Sequence, residues 1–183
     1  GREAFAVDVD VTDQGQITAA IDAAIARFGR IDILVNNAGV STPARPFADD
    51  CNEDWQQIIS VNLLGVATAM RHVLPHMVAR GYGRIINTAS QLAHRPSPGN
   101  ALYCATKAGV VALTVSVAQE VAEHGVAINS VCPGPTDTPM WRASDPDWNR
   151  WKIESLPIKR IGEPREIAWA YVYLASDEAG YMI

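Results

Sequence analysis

The run Ala101-Leu-Tyr-Cys-Ala-Thr-Lys-Ala-Gly109 places Tyr103 and Lys107 at i and i+4. On a helix that spacing puts both on one face. A free phenol has a pKa of about 10 and is a poor base at neutral pH. A lysine ammonium ~4 Å away, at an effective dielectric of ~20, favours the phenolate by roughly 4 kcal/mol, or about three pK units before desolvation. The phenol then approaches neutrality, where a general acid–base group works best. Ser90, on a separate upstream segment, supplies a hydroxyl to hold a substrate oxygen. Together the three side chains suit proton transfer to or from an alcohol or a carbonyl. The pair alone also fits a half-buried tyrosine beside a solvated lysine, so the surrounding elements decide its meaning.

Those elements alternate. Residues 4–9 read as a short strand. Asp13 then caps a helix whose apolar stripe (Ile17, Ile21, Ala24, Ile25, Phe28) ends at Gly29. A second strand, 31–35, runs into Asn36-Asn37-Ala38-Gly39. A long helix over 54–80 is bent near Asn62 and Pro75 and stops at Gly81 and Gly83. Residues 84–88 form the next strand, ending near Ser90. A helix rich in Ala and Val covers 102–123, and a fourth strand covers 125–131. A Trp-rich stretch, 140–156, precedes a last helix opened by Pro164 and ending about Ser176. Strands alternating with helices predict an α/β fold with a doubly wound parallel sheet. Ligands in such sheets bind beyond the carboxyl ends of the strands. Asn36 to Gly39, Ser90 and Pro133 to Thr138 all follow strands, so three chemically suggestive loops converge on one edge.

Composition narrows the classes. With 183 residues, 48% hydrophobic and 19% charged, the chain suits one domain with a sizeable core. A net charge of −5 and a pI near 5.3 argue against nucleic acid or an anionic membrane as a main partner. No apolar run reaches the length of a membrane span, and no signal-peptide pattern is seen at the start of the given sequence. Cys51, Cys104 and Cys132 are far apart and odd in number, which suggests neither a disulfide framework nor a zinc site. His72 and His76 share a helix face but have no third ligand in the pattern, so no metal is expected. A reducing cytoplasm fits this cysteine usage best.

Taken in order, these motifs resemble the short-chain dehydrogenase/reductase family along essentially the whole chain. Asn36-Asn37-Ala38-Gly39 is similar to the post-strand motif that supports the sheet and lines the cofactor site. The segment around Asn62 is similar to the one carrying the active-site asparagine. Ser90, Tyr103 and Lys107 match the catalytic serine, tyrosine and lysine. Pro133-Gly134, with Thr136 and Thr138, resembles the segment near the nicotinamide. Asp10-Val11 resembles the pair that contacts adenine. The resemblance implies a Rossmann-like sheet, NAD or NADP as cofactor, and hydride exchange with an alcohol or ketone. Tyr103 would move the proton, Lys107 would lower its pKa and bond the nicotinamide ribose, and Ser90 would orient the substrate oxygen. The Asn62 carbonyl would hold a relay water. A plainer reading stands beside several of these: Asn62 as a helix-bending residue, Ser90 as a turn cap, Asp10 as a strand-end cap, and Thr136 and Thr138 as caps of the next helix.

The family's first strand, Gly-rich turn and first helix, its second strand, whose end chooses between NAD and NADP, and its last strand are not matched in this sequence, so the doubly wound sheet is expected to be incomplete. The chain is therefore expected to be a fragment, one partial domain over 1–183, of an enzyme of about 250 residues, the family's usual size. Strand 4–9 would lack a partner, 31–35 would become an open edge, and the fragment would fold and bind cofactor poorly. A substrate lid is expected at about 139–160, where Trp141, Trp148 and Trp151 suit an apolar or ring-bearing substrate and Arg142, Arg150 and Lys152 an anionic tail. The chain also resembles 3-oxoacyl-(acyl-carrier-protein) reductases. The neutral-to-acidic helix end 119–124 weakens that reading, since an acidic carrier prefers basic residues. A non-catalytic dinucleotide-binding relative is the remaining alternative. The helices over 54–80 and 102–123 resemble the family's dimer-building pair, with Ala101, Ala105, Ala108, Gly109 and Ala112 small enough for close approach. A homodimer or homotetramer is expected.

Overall fold

The computed structural model describes residues 3–183. Helix α1 (Gln14–Phe28) starts where the Asp13 carboxylate accepts the backbone N–H groups of Gly15 and Gln16, at 2.8 and 3.2 Å. Those bonds satisfy donors that the first turn cannot pair internally. It ends at Gly29, whose φ of 80° lies in the left-handed region. Strand β1 (Ile33–Asn36) follows. Helix α2 (Asn52–Ile59), a π-turn (Ser60–Leu64) and helix α3 (Gly65–Arg80) then carry the chain back to strand β2 (Gly83–Thr88). Helix α4 (Ala101–Val121) makes the crossover to strand β3 (Val126–Val131).

The three strands pair in parallel in the order β1-β2-β3, with Asn36 beside Asn87 and Ile85 beside Ile128. Parallel neighbours need long crossovers, and helices provide them. Alternation along β2 sends Ile85 to one face and Ile86 to the other. On the first face Ile85 and Ile128 pack with Val73 and Met77 of α3 and Val110 of α4, all essentially inaccessible. Burial of side chains this size contributes about 1.5–3 kcal/mol each. Gly83 makes the close approach to α3 feasible, because a Cβ there would lie 2.4 Å from the Met77 sulfur. On the second face lies α7 (Pro164–Ala175), which packs against β2 and β3 and buries Leu174. Between β3 and α7 the chain makes an excursion through the short helices α5 (Pro139–Arg142) and α6 (Pro146–Ser155). Its neck is pinched by bonds from Gly162 N–H to the Pro135 carbonyl (3.0 Å) and from Asp137 N–H to the Gly162 carbonyl (2.9 Å).

The expected α/β fold is present, and a π-turn interrupts the long helix at Asn62, while α3 runs on through Pro75. Other expectations need correction. Residues 4–9 form no strand. A strand persists only where its backbone groups join a ladder, and among the described residues β1 pairs with β2 alone. Phe5 and Val7 lie exposed, and β1 is an open edge with Ile33 and Val35 also exposed. The helical stretches Glu53–Arg80 and Ala101–His124 reach 28 and 24 residues at mean hydropathies of 1.3 and 1.6, long and apolar enough to cross a membrane. Reading uninterrupted apolar runs missed them because Asn62, Thr68, Thr106 and Lys107 break the pattern; here those polar residues are buried inside the fold. Gly109 does not offer a bare face to a second chain. A Cβ on it would sit 3.2 Å from the Leu63 side chain, so it serves the packing of α4 on the π-turn.

Candidate active site

The carboxyl ends of β1, β2 and β3 and the first turns of α4 meet at one edge. Lys107 projects from α4 and is 3% exposed. Its Nζ donates to the Thr88 carbonyl at the end of β2, at 2.8 Å. Burial drags the Lys107 ammonium down to about 8, while the neighbouring Cys132 sulfur pulls it back up. Tyr103 lies one turn earlier, with Lys107 Nζ 5.8 Å from its ring centroid. Burial pushes the Tyr103 phenol above its usual value; the Ser90 hydroxyl opposes that, and Cys104 adds to it. The expected lowering of the phenol by Lys107 is thus not found in this state. The ammonium is committed to the Thr88 carbonyl, and desolvation of the phenol dominates.

Asn62 is wholly buried in the π-turn. Its amide accepts from Val40 N–H (2.8 Å) and donates to the Val40 carbonyl (2.9 Å), stitching the loop after β1 to the helix. It also reaches Thr106 at 3.4 Å, one residue from Lys107. A π-turn inserts one residue into a helix and commonly marks a functional site. Gly39 lies over this junction. A Cβ there would stand 3.4 Å from Asn62 Oδ1 and 3.5 Å from Lys107 Nζ, so the glycine keeps the approach to the lysine clear. Ser90 is buried after β2, and its Oγ accepts from Leu92 N–H at 3.1 Å, so it caps a turn while facing Tyr103.

The other expected residues divide. Asn37 and Ala38 are exposed at the edge, and the Asn37 side-chain Oδ1 accepts from the Thr88 hydroxyl at 3.1 Å. Pro133 and Gly134 lie beside Gln91, whose N–H donates to the Pro133 carbonyl at 2.9 Å. Thr136 donates to the Gly134 carbonyl at 3.0 Å and bridges to Gly162, whereas Thr138 caps α5 by accepting from Trp141 N–H. Asp10 holds its own turn, accepting from the Thr12 N–H and hydroxyl at 2.9 and 2.8 Å. The Val11 carbonyl presses on Gly65, where a Cβ would come within 2.9 Å. In the excursion, Trp141 and Trp148 pack on each other with centroids 5.6 Å apart. Arg142 pairs with Asp137 and Arg150 with Asp147, so neither stands free for an anionic tail.

Sequence reasoning missed three contributors. Thr88 is a hub, its carbonyl on Lys107 and its hydroxyl on Asn37 and on Tyr171 at 2.8 Å. Asn87, fully buried, accepts from the Asn36 amide (2.8 Å) and donates to Thr114 (2.9 Å), which donates to the Val110 carbonyl (2.7 Å). That chain of bonds ties β1 through β2 to α4. A polar pair inside an apolar strand was the available signal at Asn87 and Thr88. Tyr171 carried none, since an aromatic on an amphipathic helix reads as packing.

The edge suits the nicotinamide end of a dinucleotide. Lys107 has three N–H donors and spends one on Thr88, the approach over Gly39 is open, and exposed Asn37 and Gly134 flank it. A family model described as enoyl-(acyl carrier protein) reductase matches residues 1–183. Cis-4-hydroxycyclohexanecarboxylate dehydrogenase of Sinomonas cyclohexanicum is 38% identical over 183 residues, covering 100% of this chain and 74% of that protein. The 3-oxoacyl-(acyl-carrier-protein) reductase FabG of Thermotoga maritima is 36% identical, over 95% of this chain and 70% of its own length. The crystal structure of a gluconate 5-dehydrogenase from Burkholderia cenocepacia J2315, in complex with NADP and tartrate, superposes with a TM-score of 0.90 at 37% identity, covering 94% of this chain and 68% of the other. The family model over the whole chain, and relatives of this likeness, establish that it belongs to the short-chain dehydrogenase/reductase family of NAD(P)-dependent oxidoreductases.

Proposed function

We propose that Tyr103 is the general acid and base of a hydride exchange between a small cyclic or hydroxylated alcohol and its ketone. The observation that carries this is the convergence of Ser90, Tyr103, Lys107 and Asn62 on one sheet edge, with the lysine buried and anchored by Thr88. The nicotinamide supplies or accepts the hydride when bound. Ser90 holds the substrate oxygen against the phenol. Tyr103 donates its proton to that oxygen in reduction and takes it back in oxidation. Lys107, with two N–H groups beyond its Thr88 bond, holds the ribose and stabilises the phenolate once the proton has left. Asn62 keeps the loop after β1 in place and, through its π-turn, keeps open a route for a relay water.

Residues 37–39, 133, 134, 136 and 138 line the cofactor's nicotinamide side in this reading, and residues 10 and 11 its adenine side. Residues 139–160 form the lid. The Trp141–Trp148 pair gives that lid an apolar underside, which favours a ring-bearing substrate, as the name of the cyclohexane-carboxylate relative also suggests. The acyl-carrier reading is the second choice, supported by the FabG relative. Arg142 and Arg150 already pair with Asp137 and Asp147, which weakens their pull on an acidic carrier. The enzyme works in the cytoplasm as a homodimer or homotetramer through the exposed small-residue face of α4 at Ala101, Ala105 and Ala112. The test is a panel of cyclic and open-chain alcohols and ketones with NAD(H) and NADP(H), using the chain extended to its relatives' length. Turnover that vanishes in Tyr103→Phe supports the proposal. No cofactor-dependent turnover on any member overturns it.

A further inference from the structure

Next to the proton-transfer group lies a second set of reactive side chains. Cys132 follows β3, with one side packed on the apolar core, and is only half buried. Its Sγ lies 3.7 Å from Nε2 of His94, which is exposed and sits at the end of the turn that Ser90 starts. The sulfur is also close enough to the Lys107 ammonium and the Tyr171 phenol to act on both electrostatically. A thiol within reach of an imidazole nitrogen that can take its proton is the geometry of an activated sulfur nucleophile. Cys51 and Cys104 have no histidine among their hydrogen-bond partners, and Cys104 is 5% exposed.

We propose that Cys132, with His94 as its base, is a covalent modification site for conjugated enones that enter the substrate edge. His94 Nε2 takes the thiol proton. The sulfur then forms a bond to the β-carbon of the enone, the C=C pair moves to the carbonyl oxygen as an enolate, and His94 returns its proton to the α-carbon. No oxidant is needed and nothing leaves. The adduct replaces a small sulfur with a ring next to Lys107, so it closes the carbonyl-binding edge to substrate. This inference needs no hydride transfer and stands whether or not the proposed turnover is found.

The experiment treats the chain, extended to its relatives' length, with 2-cyclohexen-1-one at pH 7 and follows the peptides bearing Cys51, Cys104 and Cys132 by mass spectrometry. Cys132 is expected to gain one enone mass at least about tenfold faster than Cys51 or Cys104, and His94→Gln to slow it by about tenfold or more, the lower range of what a positioned base supplies. Cys132→Ala should abolish the fast phase and leave the Cys51 rate unchanged. Labelling of Cys132 no faster than Cys51, equal labelling of all three, or a rate indifferent to His94→Gln each overturns the proposal.

Discussion

The carboxyl edge of the sheet and the outer flank of β1 are built from the same strands and could hardly differ more. At the edge, polar groups are buried and paired: Lys107 on Thr88, Asn62 on Val40, Asn87 between Asn36 and Thr114. At the flank, apolar groups face solvent: Ile33 and Val35 on β1, and Phe5 and Val7 in the unpaired segment before α1. The edge is assembled by contacts among β2, α3, α4 and the π-turn, all present in this chain. The flank lacks a covering layer among the described residues, while the relatives carry additional length. Site geometry and packing are therefore separable: the buried polar network at the carboxyl edge is in place where the sheet that bears it is only half covered.

Substitutions at the two regions should break that contrast in different ways. The largest effect belongs to the edge. In a chain extended to its relatives' length, Tyr103→Phe should lower turnover by about 10²–10⁴-fold with little change in thermal stability, as loss of a general acid–base group does. A fall in melting temperature that accounts for the lost rate would show the edge to be structural instead. Next comes the core that supports it. Met77→Ala, at a fully buried site, should cost about 2–5 kcal/mol in urea unfolding. A cost below 1 kcal/mol, on the order of a surface change, would mean α3 is loosely packed.

The pH dependence of stability is the third test. Burial holds Lys107 at about 8, below the ordinary lysine value of 10.5. Below pH 8 both folded and unfolded chains are protonated there and the cost of the buried charge is fully present. Between about 8 and 10.5 the unfolded chain holds more protons, so stability should climb with pH. Tyr103 acts oppositely. Its raised phenol stays neutral in the fold while the unfolded phenol ionises, so stability should turn down above about pH 10. Lys107→Met should remove the climb; a climb that survives it belongs to another group. The smallest effect belongs to the flank. Ile33→Thr with Val35→Thr should change unfolding free energy by no more than about 0.5 kcal/mol per site while reducing self-association in light scattering. A larger loss would reveal that the flank is packed in solution.

Much of this was legible in the sequence because its signals are local. Asp13 and Gly29 bracket α1 by capping chemistry, and the Tyr103/Lys107 spacing follows from helical periodicity. The alternation of strands and helices gave the parallel sheet and, through it, the meeting of three loops. What was missed depends on partners distant in sequence. Residues 4–9 have strand composition and no ladder to join. The Tyr103 phenol is raised because burial outweighs a lysine that tertiary structure turns toward Thr88. Tyr171 meets Thr88 across the second face, and nothing in either local pattern announces it. The paired Arg142 and Arg150 likewise read as free cations until their carboxylates are placed.

The π-turn at Ser60–Leu64 also bears on how this chain can change length. Elsewhere in Asn52–Ile59 or Gly65–Arg80, losing one residue would rotate everything beyond it by about 100° and turn the buried stripe of one half toward solvent. Within the wide turn the spare residue is already there, so deleting exposed Leu64 lets the turn tighten to an ordinary helix with both stripes still in phase. The shortened protein would keep its core and lose the seat of Asn62. A one-codon deletion at that point would separate folding from chemistry more cleanly than any substitution in the same helix.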